Sequence, residues 1–344
     1  MTESIAASKS RFANFRAALY DCDRKELPHQ LQTLFDTSCA VRLPCPIGNV
    51  SGPQALFEVG YAPLLDAIPD LERRDYVVAG AIDRGEHWIG CGGYYIGVFE
   101  KPWLDIPATR HLVTMRYIEF FRFDGEQIVE AKLLWDIPAL MMQANAWPMA
   151  PSLGVEINVP GPATQDGIIT GVSDASQSAT SMSLVDAMVE GLGKFAAGGA
   201  EAMQLEKFWH PKMNWYGPAG IGSNRRISGF RNWHQIPFLS AMPDRSSDTA
   251  NGAYDCYFAD GNYVLFCGWP GMKATITGDG WMGIVPSGQK IDMTSLDIWR
   301  CEDGLIRENW VMIDILDIWH QVGVDVMARM REQTIGRQTT AFKP

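Results

Sequence analysis

The chain repeats itself, and that repeat constrains the fold more than any single motif. Residues 61–70, YAPLLDAIPD, and 235–244, QIPFLSAMPD, agree at Pro63/Pro237, Leu65/Leu239, Ala67/Ala241, Pro69/Pro243 and Asp70/Asp244. A second stretch, 103–137 against 281–315, agrees without a gap at Trp103/Trp281, Ile106/Ile284, Met115/Met293, Arg122/Arg300, Ile128/Ile306, Glu130/Glu308, Asp136/Asp314 and Ile137/Ile315. That is eight of 35 positions, where ordinary composition gives about two by chance. Order and spacing are kept, so the chain reads as a tandem duplication. Its 344 residues fit two domains at roughly 100–200 residues each.

The copies predict domains at 10–147 and 181–333, joined by 148–180. That joining segment is rich in Pro, Gly, Ser and Thr and lacks a helical or strand period, so it reads as a flexible linker. A connection of this length is expected to wrap a surface or cover a site.

Within each copy the pattern runs helix, strand, helix, four strands and a closing helix. Val185, Met188, Val189, Leu192 and Phe195 fall at helical spacing, predicting a helix over 183–196 with Ser183 as its N-cap. Residues 214–216 predict a short strand ending at Gly217-Pro218, and 230–241 a helix stopped by Pro243. Period-two alternation predicts a strand through Trp88, Tyr94, Ile96 and Val98, then strands at 111–123 and 127–135 around Asp124-Gly125. The second copy repeats these at 290–302 and 305–313 around Asp303-Gly304, before a helix over 315–331. Helices preceding a curled antiparallel sheet make an α+β class, and a bent sheet with helices on its concave face leaves a conical cavity suited to a small molecule.

A net charge of −11 disfavours phosphate backbones, so no nucleic-acid partner is expected. No apolar run reaches about 18 residues, so no membrane span is expected. Residues 1–10 lack a basic region followed by an apolar one, so no signal peptide is expected. Seven cysteines without a C-x-x-C pair signal neither zinc nor a disulfide framework and suit a reducing cytoplasm. The six histidines form no H-x-H or H-x-x-x-H pair, so no metal site is expected.

In order, and twice over, the chain resembles the SnoaL-like family within the NTF2-like fold. The carrying residues are Trp215-Tyr216-Gly217-Pro218, the runs Ile68-Pro69-Asp70 and Met242-Pro243-Asp244, and loops at Pro107-Ala108-Thr109-Arg110 and Pro286-Ser287-Gly288-Gln289-Lys290. Strands from Glu119 to Arg122 and Asp297 to Arg300 follow, then Glu130 to Asp136 and Glu308 to Asp314, and a closing Gln321-Val322-Gly323. The resemblance covers roughly 12–145 and 183–332. It implies two cone-shaped α+β barrels forming a pseudo-dimer within one chain, with further homo-oligomerisation open. It also implies a polyketide cyclase that closes rings by intramolecular aldol condensation without metal or organic cofactor, using an Asp in the cavity. Relatives of this fold isomerise ketosteroids, hydrolyse epoxides or only bind partners. A non-catalytic binding protein for a small hydrophobic metabolite, or an interaction scaffold, is therefore an alternative.

Aldol chemistry needs a carboxylate of raised pKa in a dry pocket, with donors for the enolate oxygen. Glu119 and Asp297 stand at equivalent places on apolar strand faces and are candidate acids, unless Arg122, Arg300 or a backbone amide pairs with them. Asp136 and Asp314 are further candidates, with helix N-capping as the alternative. The family's inner acid position on the last strand is held by Leu133 and Val311. Trp215, Tyr216, Trp299, Trp310 and Tyr117 are candidate pocket walls, or core. His234 and Asn309 are candidate ligand contacts, or a satisfied core histidine and a strand-surface amide. The second copy keeps the fuller aromatic strand and Gly-Pro turn, whereas the first reads Arg42-Leu43-Pro44-Cys45. The working cavity is therefore expected in the second copy, with a small hydrophobic carbonyl compound as its ligand.

Overall fold

The computed structural model describes residues 4–247 and 254–339. The first unit runs α1 (Ile5–Tyr20), α2 (Leu27–Leu34), β1 (Phe35–Arg42), β2 (Asn49–Ser51), α3 (Gly52–Ala55), a π-helical turn (Leu56–Tyr61), α4 (Ala62–Ala67), β3 (Glu72–Asp83), β4 (Glu86–Val98), β5 (Leu112–Asp124), β6 (Gln127–Trp135) and α5 (Ile137–Gln143). The second runs α6 (Ala175–Leu192), α7 (Phe195–Ala202), β7 (Trp209–Tyr216), β8 (Ser223–Arg225), α8 (Arg226–Phe230), a π-helical turn (Arg231–Gln235), α9 (Ile236–Ala241), β9 (Ser246–Ser247), β10 (Cys256–Asp260), β11 (Tyr263–Thr275), β12 (Lys290–Glu302), β13 (Leu305–Ile313), α10 (Ile315–Gln321) and α11 (Val326–Thr339). The sheet orders are β2-β1-β6-β5-β4-β3 and β8-β7-β13-β12-β11-β10, with β9 on β11. Element order, sheet order and even the π-helical turn recur, as a duplicated α+β unit requires.

The repeated residues build this scaffold. Asp70 and Asp244 each accept a backbone N–H from the far end of a long strand, Val98 at 2.7 Å and Thr275 at 2.8 Å. Arg122 meets Glu130 at 3.1 Å and Arg300 meets Glu308 at 2.6 Å, each directly across neighbouring strands.

Several expectations change. Each sheet is mixed rather than wholly antiparallel, because β1 runs parallel to β6 and β7 parallel to β13. The helix expected from Ser183 begins at Ala175, where Asp174 caps it by accepting from the Ser176 and Gln177 amides. Residues 175–180 therefore leave the expected linker; they are polar and small and carry no apolar stripe to betray a helix. The expected strand at 214–216 begins at Trp209, and the helix expected at 230–241 begins at Arg226. The closing helix of the second unit breaks at Gly323, whose φ of +80° is a left-handed conformation suited to glycine.

The two sheets pack against each other by their outer faces. Trp88, Ile118 and Phe120 of the first meet Phe258, Leu265 and Trp310 of the second in one buried cluster. Gly90 permits the approach: a Cβ there would lie 2.5 Å from Leu265 and 2.7 Å from Phe120. The joining segment crosses this seam, where Val159 is buried and its carbonyl accepts from the Tyr94 hydroxyl. The Pro160 carbonyl accepts from the Trp310 indole. No helix among the described residues is long and apolar enough to cross a membrane.

Candidate functional site

Strand alternation sends odd-numbered residues of β12 and β13 to the inner face of the second unit. Ser295, Asp297 and Trp299 thus line a cavity with Asn309, Val311 and Ile313. Trp215 enters from β7, while Phe230, His234 and Phe238 enter from the helical segment opposite. The cavity volume is about 130 Å³, comparable to a void of roughly 150 Å³ that accepts benzene. The first unit is filled at this level. There α1 brings Phe12 and Phe15 onto Phe121, with the Phe12 and Phe121 ring centroids 4.9 Å apart. In place of these rings α6 buries the smaller or more flexible Val185 and Met188, with Ser181 and Gly191.

The acid in the cavity is Asp297. Its carboxyl accepts from the Ser295 hydroxyl at 2.9 Å and the Asn309 amide at 3.3 Å. Among the described residues no cation lies within ion-pair distance, and burial pushes its pKa up to about 6. Asp297 lies directly across the strand pair from Val311. The family-like inner acid position is apolar here, and a carboxyl stands beside it on the neighbouring strand.

His234 is buried and stacked on Trp215, with centroids 4.0 Å apart and planes at 17°; Phe238 stacks at 5.5 Å. Burial, and then the nearby Arg245 charge, hold its pKa down to about 3, so the ring is neutral at ordinary pH. A neutral imidazole carries one N–H donor and one acceptor.

Other sequence candidates lie elsewhere. Glu119 sits in the closed core of the first unit, 2.6 Å from Arg73, and accepts from Trp135 Nε1 at 2.9 Å and the Tyr95 hydroxyl at 3.1 Å. The pairing arginine is thus Arg73, neither Arg122 nor Arg300. Tyr117 belongs to the same network, its ring 4.2 Å from the Arg73 guanidinium and its hydroxyl bonded to Asp75. Tyr216 and Trp310 face the opposite sheet, because they are the even-numbered neighbours of Trp215 and Asn309.

Asp136 and Asp314 bind across the two units in reciprocal fashion. Asp136 accepts from the Ala219 amide at 3.1 Å, and Asp314 from the Cys45 amide at 2.9 Å. Asp314 also accepts from the Asp317 amide as an N-cap; Asp136 stands at the equivalent place, with no side-chain capping bond of its own. Burial raises both, Asp314 to about 7. A polar cleft of about 310 Å³ between the units includes Asp136, Arg116 and Glu156. Its acids are already tied to the Ala219 and Gly220 amides.

Sequence reading missed Arg245, Trp209 and Phe238 as cavity residues. Arg245 follows the repeated Pro-Asp pair, which places it at the end of the helical segment; that adjacency was the only signal. Among the described residues no group of three or more His, Cys, Asp or Glu is arranged to hold a metal ion.

Residues 196–322 match the family model described as SnoaL-like polyketide cyclase. No curated protein sequence matches the chain. Among solved structures, a SnoaL-like polyketide cyclase from Agrobacterium tumefaciens is 14% identical, with 41% of this chain and 98% of that one covered and a TM-score of 0.33. An NTF2-like protein from Burkholderia thailandensis is 15% identical, with 40% and 95% covered and a TM-score of 0.32. A protein of ketosteroid isomerase-like fold from Catenulispora acidiphila is 16% identical, with 39% and 92% covered and a TM-score of 0.31. The second unit is thus similar, over residues 196–322, to the SnoaL-like polyketide cyclase family, and the first unit repeats the second unit's sheet order.

Proposed function

We propose that the second unit is a cofactor-independent acid/base enzyme of cyclase or isomerase type, acting on a small hydrophobic carbonyl compound, with the first unit as the supporting half of a pseudo-dimer. The observation that carries this is the Asp297 carboxyl, held by Ser295 and Asn309 in an aromatic cavity. A base of pKa near 6 is matched to proton abstraction at neutral pH. Asp297 takes the proton from carbon beside the carbonyl, and the C–H electron pair moves onto the carbonyl oxygen. The neutral His234 donates to that oxygen, as neutral imidazoles can in other enzymes. In a cyclase the enolate carbon then attacks a second carbonyl, and the new alkoxide takes the proton back from Asp297. In an isomerase the proton returns to a different carbon.

The test is exchange of the α-protons of acetophenone, a single-ring ketone, in D₂O, followed by NMR with the full chain. Asp297→Asn is expected to slow the enzymatic exchange by about 10²–10⁴, the usual worth of a positioned acid/base. Exchange no faster than in buffer, or unchanged in the variant, would overturn the reading. A binding protein for a small hydrophobic metabolite would then take its place.

A further inference from the structure

The cavity also contains a charge that nothing described neutralises. Arg73, Arg116 and Arg300 are buried, and each meets a carboxylate: Glu119 at 2.6 Å, Asp136 at 3.7 Å and Glu308 at 2.6 Å. Arg245 departs from this pattern. Its guanidinium lies 5.8 Å from the Phe238 ring centroid, Nη1 reaches only the Met272 sulfur at 3.7 Å, and the buried Nε has no partner. Among the described residues no carboxylate lies within ion-pair distance of it, although the chain carries a net charge of −11. Arg245 is partly buried, with its Nε sealed from solvent; a cation withdrawn from water without a counter-ion is destabilising, so a site that keeps one favours an anion from outside.

We infer that this cavity takes a ring-bearing carboxylate, its negative group held by Arg245 and its ring by Trp215, Phe238 and Trp299. A guanidinium fork matches the two oxygens of a carboxylate. The volume of about 130 Å³ admits one ring rather than a fused system. This deepens the proposed function by naming its substrate class: the carbonyl compound also bears an acid group. It rests on the same cavity being the site, and not on turnover.

The test is equilibrium binding of benzoate and of its neutral isostere benzamide to the full chain, read by tryptophan fluorescence, since Trp209, Trp215 and Trp299 line the cavity. Benzoate is expected to bind at least tenfold tighter. Arg245→Gln should abolish that preference by weakening benzoate alone. Unliganded Arg245→Gln should melt no lower than the parent, because it loses an uncompensated charge. Asp297→Asn should keep the preference, so a failure of the exchange experiment leaves this inference standing, and the reverse also holds. Equal binding of the two probes, no binding of either, or a preference that survives Arg245→Gln would each overturn it. The first two outcomes need no variant, so the inference stays falsifiable even if Arg245→Gln does not fold.

Discussion

At the scale of the residue, one pair of equivalent positions carries the difference between the units. Glu119 and Asp297 occupy matching places in β5 and β12, yet their surroundings give them different work. Arg73, Trp135 and Tyr95 consume the acceptor capacity of Glu119 within a closed core. Asp297 has a hydroxyl and an amide, and its remaining capacity faces the cavity. Removing one partner of a buried ion pair costs about 3–5 kcal/mol. Glu119→Gln is therefore expected to lower unfolding stability by about 3 kcal/mol in urea titration, while acetophenone exchange by the folded variant changes less than twofold. A loss of exchange like that of Asp297→Asn, without a loss of stability, would return Glu119 to the list of catalytic groups.

At the scale of the element, the caps and turns decide where the chain can be read. Asp174 opens α6 by accepting from Ser176 at 2.7 Å and Gln177 at 3.2 Å. Asp174→Ala should cost about 1 kcal/mol in urea unfolding; an unchanged midpoint would mean the helix start is held by packing instead. This start was illegible in sequence, because its first two turns bury little apolar surface and so show no 3.6-residue period. The late strands were legible for the opposite reason. At 127–135, 290–302 and 305–313 their ends fall where alternation and the Asp-Gly turns placed them. Alternation gives a face only relative to a neighbour, however. Trp215 and Tyr216 are equally apolar-looking neighbours, and the second sheet, distant in sequence, determines which of them looks inward. The same limit hid Arg73 as the partner of Glu119: 46 residues separate them, and only the sheet brings them together.

At the scale of the whole molecule, the residues shared by the two copies hold the structure together, and those that differ make the site. Asp136 and Asp314 reach reciprocally into the opposite unit, and Lys9 reaches Asp260 of the second unit at 2.6 Å, with both side chains buried. Buried acids also set the pH dependence of stability. Asp297 is raised to about 6 and Asp314 to about 7, and Asp136 is raised too. Between pH about 4 and 7 the folded chain keeps protons that the unfolded chain releases, so their stabilising contribution is lost as pH rises through that window. Asp75 and Glu130 act in the opposite sense. Their partners Arg73, Arg16, Lys132 and Arg122 hold them below the usual carboxylate range, so the stability they contribute disappears as pH falls below about 4. Self-repulsion at a net charge of −11 adds to the loss on the alkaline side. His234, held down to about 3, adds to the acid-side loss as pH falls below the ordinary imidazole value, and these opposing slopes put the maximum near pH 5. Calorimetry should find Tm highest there and lower at pH 8 by roughly 5 °C, allowing a few degrees for each kcal/mol in a chain of this size. Asp314→Asn keeps one oxygen, enough to accept from the Cys45 or the Asp317 amide but not both, so its Tm is lower throughout, and it cannot ionise. It should flatten the decline between pH 5 and 7 while leaving the acid limb in place. A Tm that rises from pH 5 to pH 8 would mean that these carboxyls are ionised in the folded chain at ordinary pH, and that the seam between the units is held by charge rather than by neutral hydrogen bonds.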